Sequence, residues 1–105
     1  MTIRHIVTWK LGAPSVEQRA EDATRIRHEL TALVSQLGDI IERLEVGIDL
    51  HDTPGNWDVV LVSEFTDAAA LEAYQVHPAH QAAAAVIRSL VTERSAIDYT
   101  LPAGS

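Results

Sequence analysis

The sequence contains no cysteine, and this absence excludes several classes of function at once. Without a thiol the chain has no disulfide, no thiolate ligand for a metal and no cysteine nucleophile. Redox proteins of the dithiol type, zinc ribbons and cysteine hydrolases are therefore excluded. Proline and glycine are also sparse, at 4 and 5 residues of 105, while 47% of the chain is hydrophobic. This composition is typical of a folded domain and not of a disordered segment.

Basic residues are few: Lys and Arg number 8 against 15 Asp and Glu, for a net charge of −7. They are scattered along the chain, so the basic footprint of a nucleic-acid-binding protein is missing, and an anionic membrane surface is disfavoured for the same reason. No apolar run is long enough to cross a bilayer, and Arg4, His5 and Lys10 interrupt the amino-terminal segment where a signal peptide would be apolar. We expect a cytoplasmic protein with neither nucleic acid nor membrane as partner.

Motifs for phosphate binding and for serine hydrolysis are absent as well, since the sequence has no glycine-rich phosphate loop and no GxSxG elbow. His77 and His80 form an HxxH pair, but two imidazoles without a clear third ligand are a weak metal signal. We therefore expect no cofactor and no bound metal.

The length predicts a single domain over residues 1–100, followed by a C-terminal tail over 101–105. Alternating apolar residues predict strands, and apolar residues spaced by three and four predict helices. The predicted strands cover 3–9, 44–50, 57–65 and 95–99, and the predicted helices cover 16–37, 67–76 and 79–90. A turn-rich segment, 51–56, joins the second and third strands. Pro78 separates the last two helices, because the residue before a proline disfavours helical dihedral angles.

This order of elements is typical of a ferredoxin-like α+β sandwich with a four-stranded antiparallel sheet. Right-handed crossovers place the helices on one side of the sheet, so Ile6, Val60 and Val62 fall on a side that nothing else in the chain can cover. Burying one such side chain is worth about 1.5–3 kcal/mol. We therefore predict a homodimer that pairs two sheets into a dimeric α+β barrel. The alternative is a monomer that tolerates a partly apolar open face.

Segments at 3–11 (IRHIVTWKL), 62–83 (VSEFTDAAALEAYQVHPAHQAA) and 96–99 (AIDY) resemble the stress-responsive A/B barrel (Dabb) family of dimeric α+β barrels. The resemblance implies an eight-stranded barrel made by two chains. Around YQVHPAH the sequence is also similar to polyketide cyclases of that family, which implies that Tyr74 and His80 form an acid/base pair and that His5 is a pocket histidine. A second pocket histidine of those enzymes is replaced by Val59, and a helix tyrosine falls near Thr31.

The same residues have chemistry of their own. His80 can act as a general base because the ordinary histidine pKa, about 6.5, lies near neutral pH, and Tyr74 can donate a hydrogen bond to a carbonyl or enolate oxygen. The helix break at Pro78 would let the two side chains meet. Structural roles are the alternative: His80 capping the helix junction, Tyr74 as half-buried core, and His5 as a hydrogen-bonded core residue.

Two functions remain open from the sequence. In the first, a pocket between sheet and helices binds a small hydrophobic carbonyl or polyketide-like molecule and supports cyclase- or lyase-type acid–base chemistry without metal or nucleotide. The residues assigned to that pocket are the catalytic candidates His5, Tyr74 and His80 and the substrate-binding candidates Val7, Trp9, Val59 and Leu61. In the second, a non-catalytic stress-response or assembly protein fills its core with these side chains. Space for a ring-sized ligand beside Tyr74 and His80 would favour the first.

Overall fold

The computed structural model describes residues 1–50 and 53–102. Its elements, in chain order, are β1 (Ile3–Leu11), α1 (Val16–Leu37), β2 (Ile41–Ile48), β3 (Val59–Phe65), α2 (Ala68–Val76), α3 (Pro78–Arg88) and β4 (Val91–Thr100). The strands form a four-stranded antiparallel sheet in the order β2-β3-β1-β4. The predicted ferredoxin-like α+β fold is confirmed. Within the predicted turn at 51–56, His51 and Asp52 lie outside the described residues.

Alternation along the strands gives the sheet two different faces. On β1, His5, Val7 and Trp9 are buried beneath the helices, and we call this side the covered face. Ile6 lies opposite Val62 of β3 on the other side, which we call the open face. The covered face contains the hydrophobic core.

The first helix packs on the covered face through one apolar stripe. It begins after Ser15, whose Oγ accepts a hydrogen bond from the backbone N–H of Gln18 at 3.1 Å. This bond satisfies one of the unpaired donors at a helix start. The buried stripe consists of Ala23, Ile26, Leu30, Leu33 and Leu37. Its spacing of three and four residues is what the sequence pattern predicts.

The break between α2 and α3 lies where Pro78 predicts it. His77 has an extended backbone with ψ of 136°, and it is both the C-cap of α2 and the N-cap of α3. Its backbone N–H donates to the Tyr74 carbonyl at 3.3 Å, and its Nδ1 accepts from the Ala79 N–H at 3.0 Å. The first residue of α3 is Pro78, a position that tolerates proline because its missing N–H would be unpaired there anyway.

The last strand is longer than the sequence pattern predicts. It runs over Val91–Thr100 instead of 95–99, and α3 ends at Arg88 instead of residue 90. Thr92, Glu93 and Arg94 are exposed and show no apolar alternation, so only backbone pairing with β1 makes this segment a strand. The second strand likewise begins earlier than predicted, at Ile41.

The predicted tail begins with an ordered residue. Leu101 is buried, and its backbone N–H donates to the Thr2 carbonyl at 2.9 Å. The packed part of the chain therefore extends past residue 100. Residues 103–105 lie outside the described part.

The open face has an apolar centre and a charged edge. Ile6, Val60 and Val62 are partly exposed there, and Ile97 of β4 is 59% exposed. Beside them, the Glu64 carboxylate forms ion pairs with Arg4 and Arg43, each at 3.1 Å. Within the described residues no helix or loop covers this centre, as the sequence predicts. Among those residues there is also no helix long and apolar enough to span a bilayer.

Candidate functional site

A cavity of about 360 Å³ lies between the covered face and helices α1 and α3. Volumes of about 300–1,000 Å³ are usual for small-molecule sites. Its lining residues are His5, Val7, Trp9, Leu30, Leu61, His80, Ala84, Ile87, Arg88, Val91 and Arg94. The walls are mostly apolar, and two imidazoles and two guanidinium groups supply the polarity. This arrangement suits a small apolar molecule that carries a few polar atoms.

The predicted site residues divide into two groups. His5, Val7, Trp9, Leu61 and His80 line the cavity. Val59 and Tyr74, which the sequence also assigned to the pocket, do not.

Val59 is buried at the far end of β3, opposite Trp9. It shares the covered face with Leu61 and belongs to the hydrophobic core, but it borders a separate depression at one end of the sheet and not this cavity. The pattern of alternation gave its face correctly but not its distance from the cavity.

Tyr74 lies behind the cavity wall and is fully buried. Its ring centroid is 4.4 Å from that of His80, 6.4 Å from that of His5 and 4.9 Å from that of Phe65. The hydroxyl has no hydrogen-bond partner within the described residues. Burial raises the pKa of Tyr74 to about 12, so the phenol stays protonated at neutral pH. It is therefore a neutral donor with an unused hydrogen bond.

His80 is brought to Tyr74 by the helix break. Six residues along one continuous helix would place the two side chains about 120° apart around its axis, whereas the extended residue His77 sets them ring to ring. The Nδ1 of His80 lies 3.1 Å from the Gln75 carbonyl oxygen, which can only accept, so Nδ1 carries the proton in this bond. The remaining nitrogen, Nε2, is then the basic atom.

The surroundings of His80 favour its neutral form. Burial lowers the pKa of His80 below the ordinary value, and the neighbouring His5 and Arg94 lower it further. The hydrogen bond to Gln75 opposes these effects without cancelling them. At neutral pH the imidazole is therefore mostly unprotonated and able to accept a proton.

His5 has a partner that the sequence analysis missed. Its Nδ1 forms a hydrogen bond and ion pair with the Asp98 carboxylate of β4, directly across the sheet in the antiparallel register. The signal was present, because Asp98 belongs to the predicted fourth strand, but the register between β1 and β4 was not predicted. A carboxylate on Nδ1 fixes the orientation of the ring and the position of the Nδ1 proton.

Arg88 and Arg94 were missed as well. Arg88 ends α3, and Arg94 lies opposite Trp9 on β4, in a segment that was not predicted as strand. Both line the cavity. Their position depends on how α3 crosses the sheet and on the length of β4, neither of which is visible in the local sequence pattern.

A second depression and the HxxH pair offer fewer groups for catalysis or metal binding. A wider depression of about 520 Å³ at one end of the sheet includes Thr8, Gly47 and Trp57 but no histidine or tyrosine. Across residues 1–50 and 53–102, no three His, Cys, Asp or Glu side chains are grouped so that they could hold a metal ion. In the HxxH pair, His77 Nδ1 is already used by Ala79.

Sheet order, helices on one face and the cavity between them define a ferredoxin-like α+β protein with a site of small-molecule size. Residues 3–101 match the Stress responsive A/B Barrel Domain, Dabb, and the chain belongs to this family. A Streptomyces coelicolor protein described as uncharacterized is 36% identical over 93 residues, covering 86% of this chain and 91% of that protein.

Two solved structures extend the comparison. One, from Bacteroides fragilis, is described as a dimeric protein of unknown function with a ferredoxin-like fold; it is 28% identical, with a TM-score of 0.84 over 95% of this chain and 96% of that chain. A dimeric ferredoxin-like protein of unknown function from Thermobifida fusca is 27% identical, with a TM-score of 0.74 over 96% of this chain and 92% of that chain.

Proposed function

We propose that this chain binds a small apolar carbonyl compound in the cavity of the covered face and moves a proton at the carbon next to the carbonyl. The observation that carries the proposal is the cavity itself, which is mostly apolar and lined by two imidazoles in different electrostatic settings. A protein that used these residues only as core packing would have no reason to leave this space beside His5 and His80.

The two imidazoles take opposite roles in this proposal. His80 is the base: its Nε2 takes the proton from the carbon, and the C–H electron pair forms the C=C bond of an enolate while the carbonyl oxygen gains the negative charge. His5, balanced by the Asp98 carboxylate, is the acid and gives its Nε2 proton to that oxygen. Neighbouring titratable groups held in different protonation states are the usual arrangement for such a pair.

Tyr74 supplies a second hydrogen bond to the same oxygen in this proposal. Its support is the buried hydroxyl without a partner, next to the His80 ring. Since Tyr74 does not line the cavity, a side chain of the wall must shift for the hydroxyl to reach a ligand. In a molecule with a second carbonyl, the enol carbon would attack that carbonyl to form a C–C bond. The C=O π bond of the second carbonyl breaks, its oxygen takes the proton held by His80, and the enol O–H returns its proton to His5, which is the cyclase-type outcome.

We also propose that the protein works as a homodimer that pairs the open faces of two copies into a barrel. The support is the uncovered apolar centre formed by Ile6, Val60, Val62 and Ile97. The Bacteroides fragilis and Thermobifida fusca proteins, which share the fold, are described as dimeric.

The enzymatic proposal can be tested by hydrogen exchange. Butyl phenyl ketone is incubated with the protein in deuterium oxide, and loss of the proton signal next to the carbonyl is followed by NMR. We expect the protein to accelerate exchange and His80→Gln to lower that acceleration by about 10²–10⁴-fold, the usual contribution of a general base. His28→Gln, an exposed histidine on α1, is the matched control and should leave the rate unchanged.

Ligand retention provides the second measurement. Native mass spectrometry with a panel of carbonyl and polyketide-like compounds should show a retained ligand on the natural chain. If the natural chain retains a ligand but His80→Gln exchanges protons as fast as the natural chain, His80 is not the base. If the natural chain shows neither ligand retention nor accelerated exchange, the enzymatic proposal is rejected and the non-catalytic stress-response or assembly function is favoured.

A further inference from the structure

Neither Arg88 nor Arg94 is the acid or the base of the proposed proton transfer, yet both residues line the cavity. Most other cations of the chain have an acidic partner: Arg4 and Arg43 pair with Glu64, Lys10 with Glu93 and Arg25 with Glu29. Within residues 1–50 and 53–102, Arg88 and Arg94 form no ion pair. In a chain with a net charge of −7, two unpaired guanidinium groups at one cavity need an explanation.

Local structure explains each arginine only in part. A cation in the last turn of a helix is favoured by the helix dipole, which accounts for the charge of Arg88 but not for its position at the cavity. A charged residue on an edge strand discourages unwanted strand pairing, which accounts for a charge on β4. Arg94, however, lies on the side of β4 that faces Trp9 and the cavity, where its charge acts on His80.

The β4 residues that share the covered face change from acidic to basic along the strand. Asp98 lies opposite His5, Ala96 opposite Val7, and Arg94 opposite Trp9. At about 3.4 Å per residue, the backbones of Arg94 and Asp98 are about 14 Å apart. One end of the cavity therefore presents the imidazole used in proton transfer, and the other end presents cations, with apolar walls between them.

We propose that the ligand is an oxo acid, with its carbonyl at His5 and His80 and a carboxylate held by Arg88 and Arg94. This inference rests on the proposed function, because the carbonyl end uses the same cavity. Guanidinium groups bind carboxylates through paired, charge-assisted hydrogen bonds, which are the strong ones. The apolar linker between the two groups packs on Val7, Leu61 and Ile87.

The test uses γ-benzoylbutyrate, which has an aryl ketone at one end and a carboxylate at the other. Its methyl ester keeps the shape and the ketone but lacks the charge. Binding of both compounds is measured by isothermal titration calorimetry at neutral pH. We expect the acid to bind the natural chain at least about tenfold more tightly than the ester, and the difference to shrink at high salt.

Substitution then locates the effect. The double change Arg88→Gln with Arg94→Gln should abolish the preference for the acid while leaving the affinity for the ester within about twofold. Both residues are exposed, so the fold should persist, and circular dichroism checks this. Arg27→Gln is the matched control, because Arg27 is an exposed arginine on α1 that does not line the cavity.

The outcomes separate the two proposals. Equal binding of acid and ester by the natural chain, or an undiminished preference in the double variant, overturns the oxo-acid inference and leaves the carbonyl site standing. Failure of both compounds to bind overturns the oxo-acid inference together with the carbonyl site. A preference for the acid that the double variant loses and Arg27→Gln retains supports the inference.

Discussion

The two faces of the sheet come from the same alternating strands but suit partners of different size. Leu61 is buried on the covered face beside a cavity of about 360 Å³, while its neighbour Val62 is partly exposed at the centre of the open face. The covered face combines histidines with apolar walls, as a small-molecule site requires. The open face combines an apolar centre with ion pairs around Glu64, as a protein interface requires. Substitutions of adjacent residues in one strand should therefore have different effects, on stability at Leu61 and on dimerisation at Val62.

The largest effect is expected from a charge on the open face. Val62→Asp removes apolar burial in both copies of the proposed dimer and places an unpaired charge from each copy in its interface. At about 1.5–3 kcal/mol for each buried side chain, we expect dimer dissociation to increase by at least about a hundredfold. Analytical ultracentrifugation at micromolar concentration should show a particle of monomer mass.

The matched control for this change is Val76→Asp. Val76 is 61% exposed on α2, on the helical side of the sheet, so the charge there should leave assembly unaltered. A natural chain that sediments as a monomer, or a Val62→Asp variant that remains dimeric, would contradict the proposed assembly.

A smaller loss is expected on the covered face. Leu61→Ala removes a side chain that is 2% exposed and enlarges the cavity, and such truncations cost about 2–5 kcal/mol of unfolding free energy. Chemical denaturation should show this loss, with the dimer still present by sedimentation. Val62→Ala is the comparison on the open face, and we expect it to cost less in stability but to weaken the dimer. Equal effects of the two truncations on both measurements would erase the distinction between the faces.

Tyr74→Phe should separate stability from chemistry within the covered face. It removes a buried hydroxyl without a partner, whose desolvation costs about 1–3 kcal/mol, so we expect higher stability by about 1 kcal/mol in the absence of ligand. The same change should slow the proposed proton exchange, since a donor to the enolate oxygen is lost. Denaturation and exchange measured on one sample give both results; lower stability with unaltered exchange would refute them.

The same tyrosine predicts a dependence on alkaline pH. The folded-state pKa of Tyr74 is raised to about 12, while an unfolded tyrosine ionises near pH 10. The unfolded chain therefore loses this proton first, and stability declines as the pH rises from about 10 to about 12. Thermal denaturation across this range should show a smaller decline in Tyr74→Phe than in the natural chain.

The mildest perturbation is a change of pH on the acid side. The pKa of His80 lies below the ordinary value near 6.5, and only the neutral imidazole accepts a proton. We expect the proposed exchange rate to be constant near neutral pH and to fall by at most about tenfold per pH unit once the pH drops below that lowered pKa. A decline that already begins above pH 7 would exclude His80 as the base.

The sequence was sufficient for the fold because its central strands carry strong patterns. His5, Val7 and Trp9 alternate with Ile6 and Thr8, so the two faces of β1 follow from spacing alone. The ends of β4 did not follow, because an exposed edge strand is defined by its backbone partner and not by its own apolar pattern.

The site was predictable only where local sequence determines position. Pro78 breaks the helix locally, so the meeting of Tyr74 and His80 could be predicted. The depth of Tyr74 and the place of Val59 depend on how helices cross the sheet, and the partner Asp98 depends on strand register. These are properties of the whole fold, and no short segment contains them.

The helix break also has an electrostatic consequence. Since Pro78 is the first residue of α3, His80 lies in the first turn of that helix. Aligned peptide dipoles give a helix start about half a unit of positive charge, which favours an uncharged imidazole over a charged one. In one continuous helix, His80 would stand far from either end and would lack this influence. A single proline thus sets both the direction of the side chain and the backbone field at its imidazole.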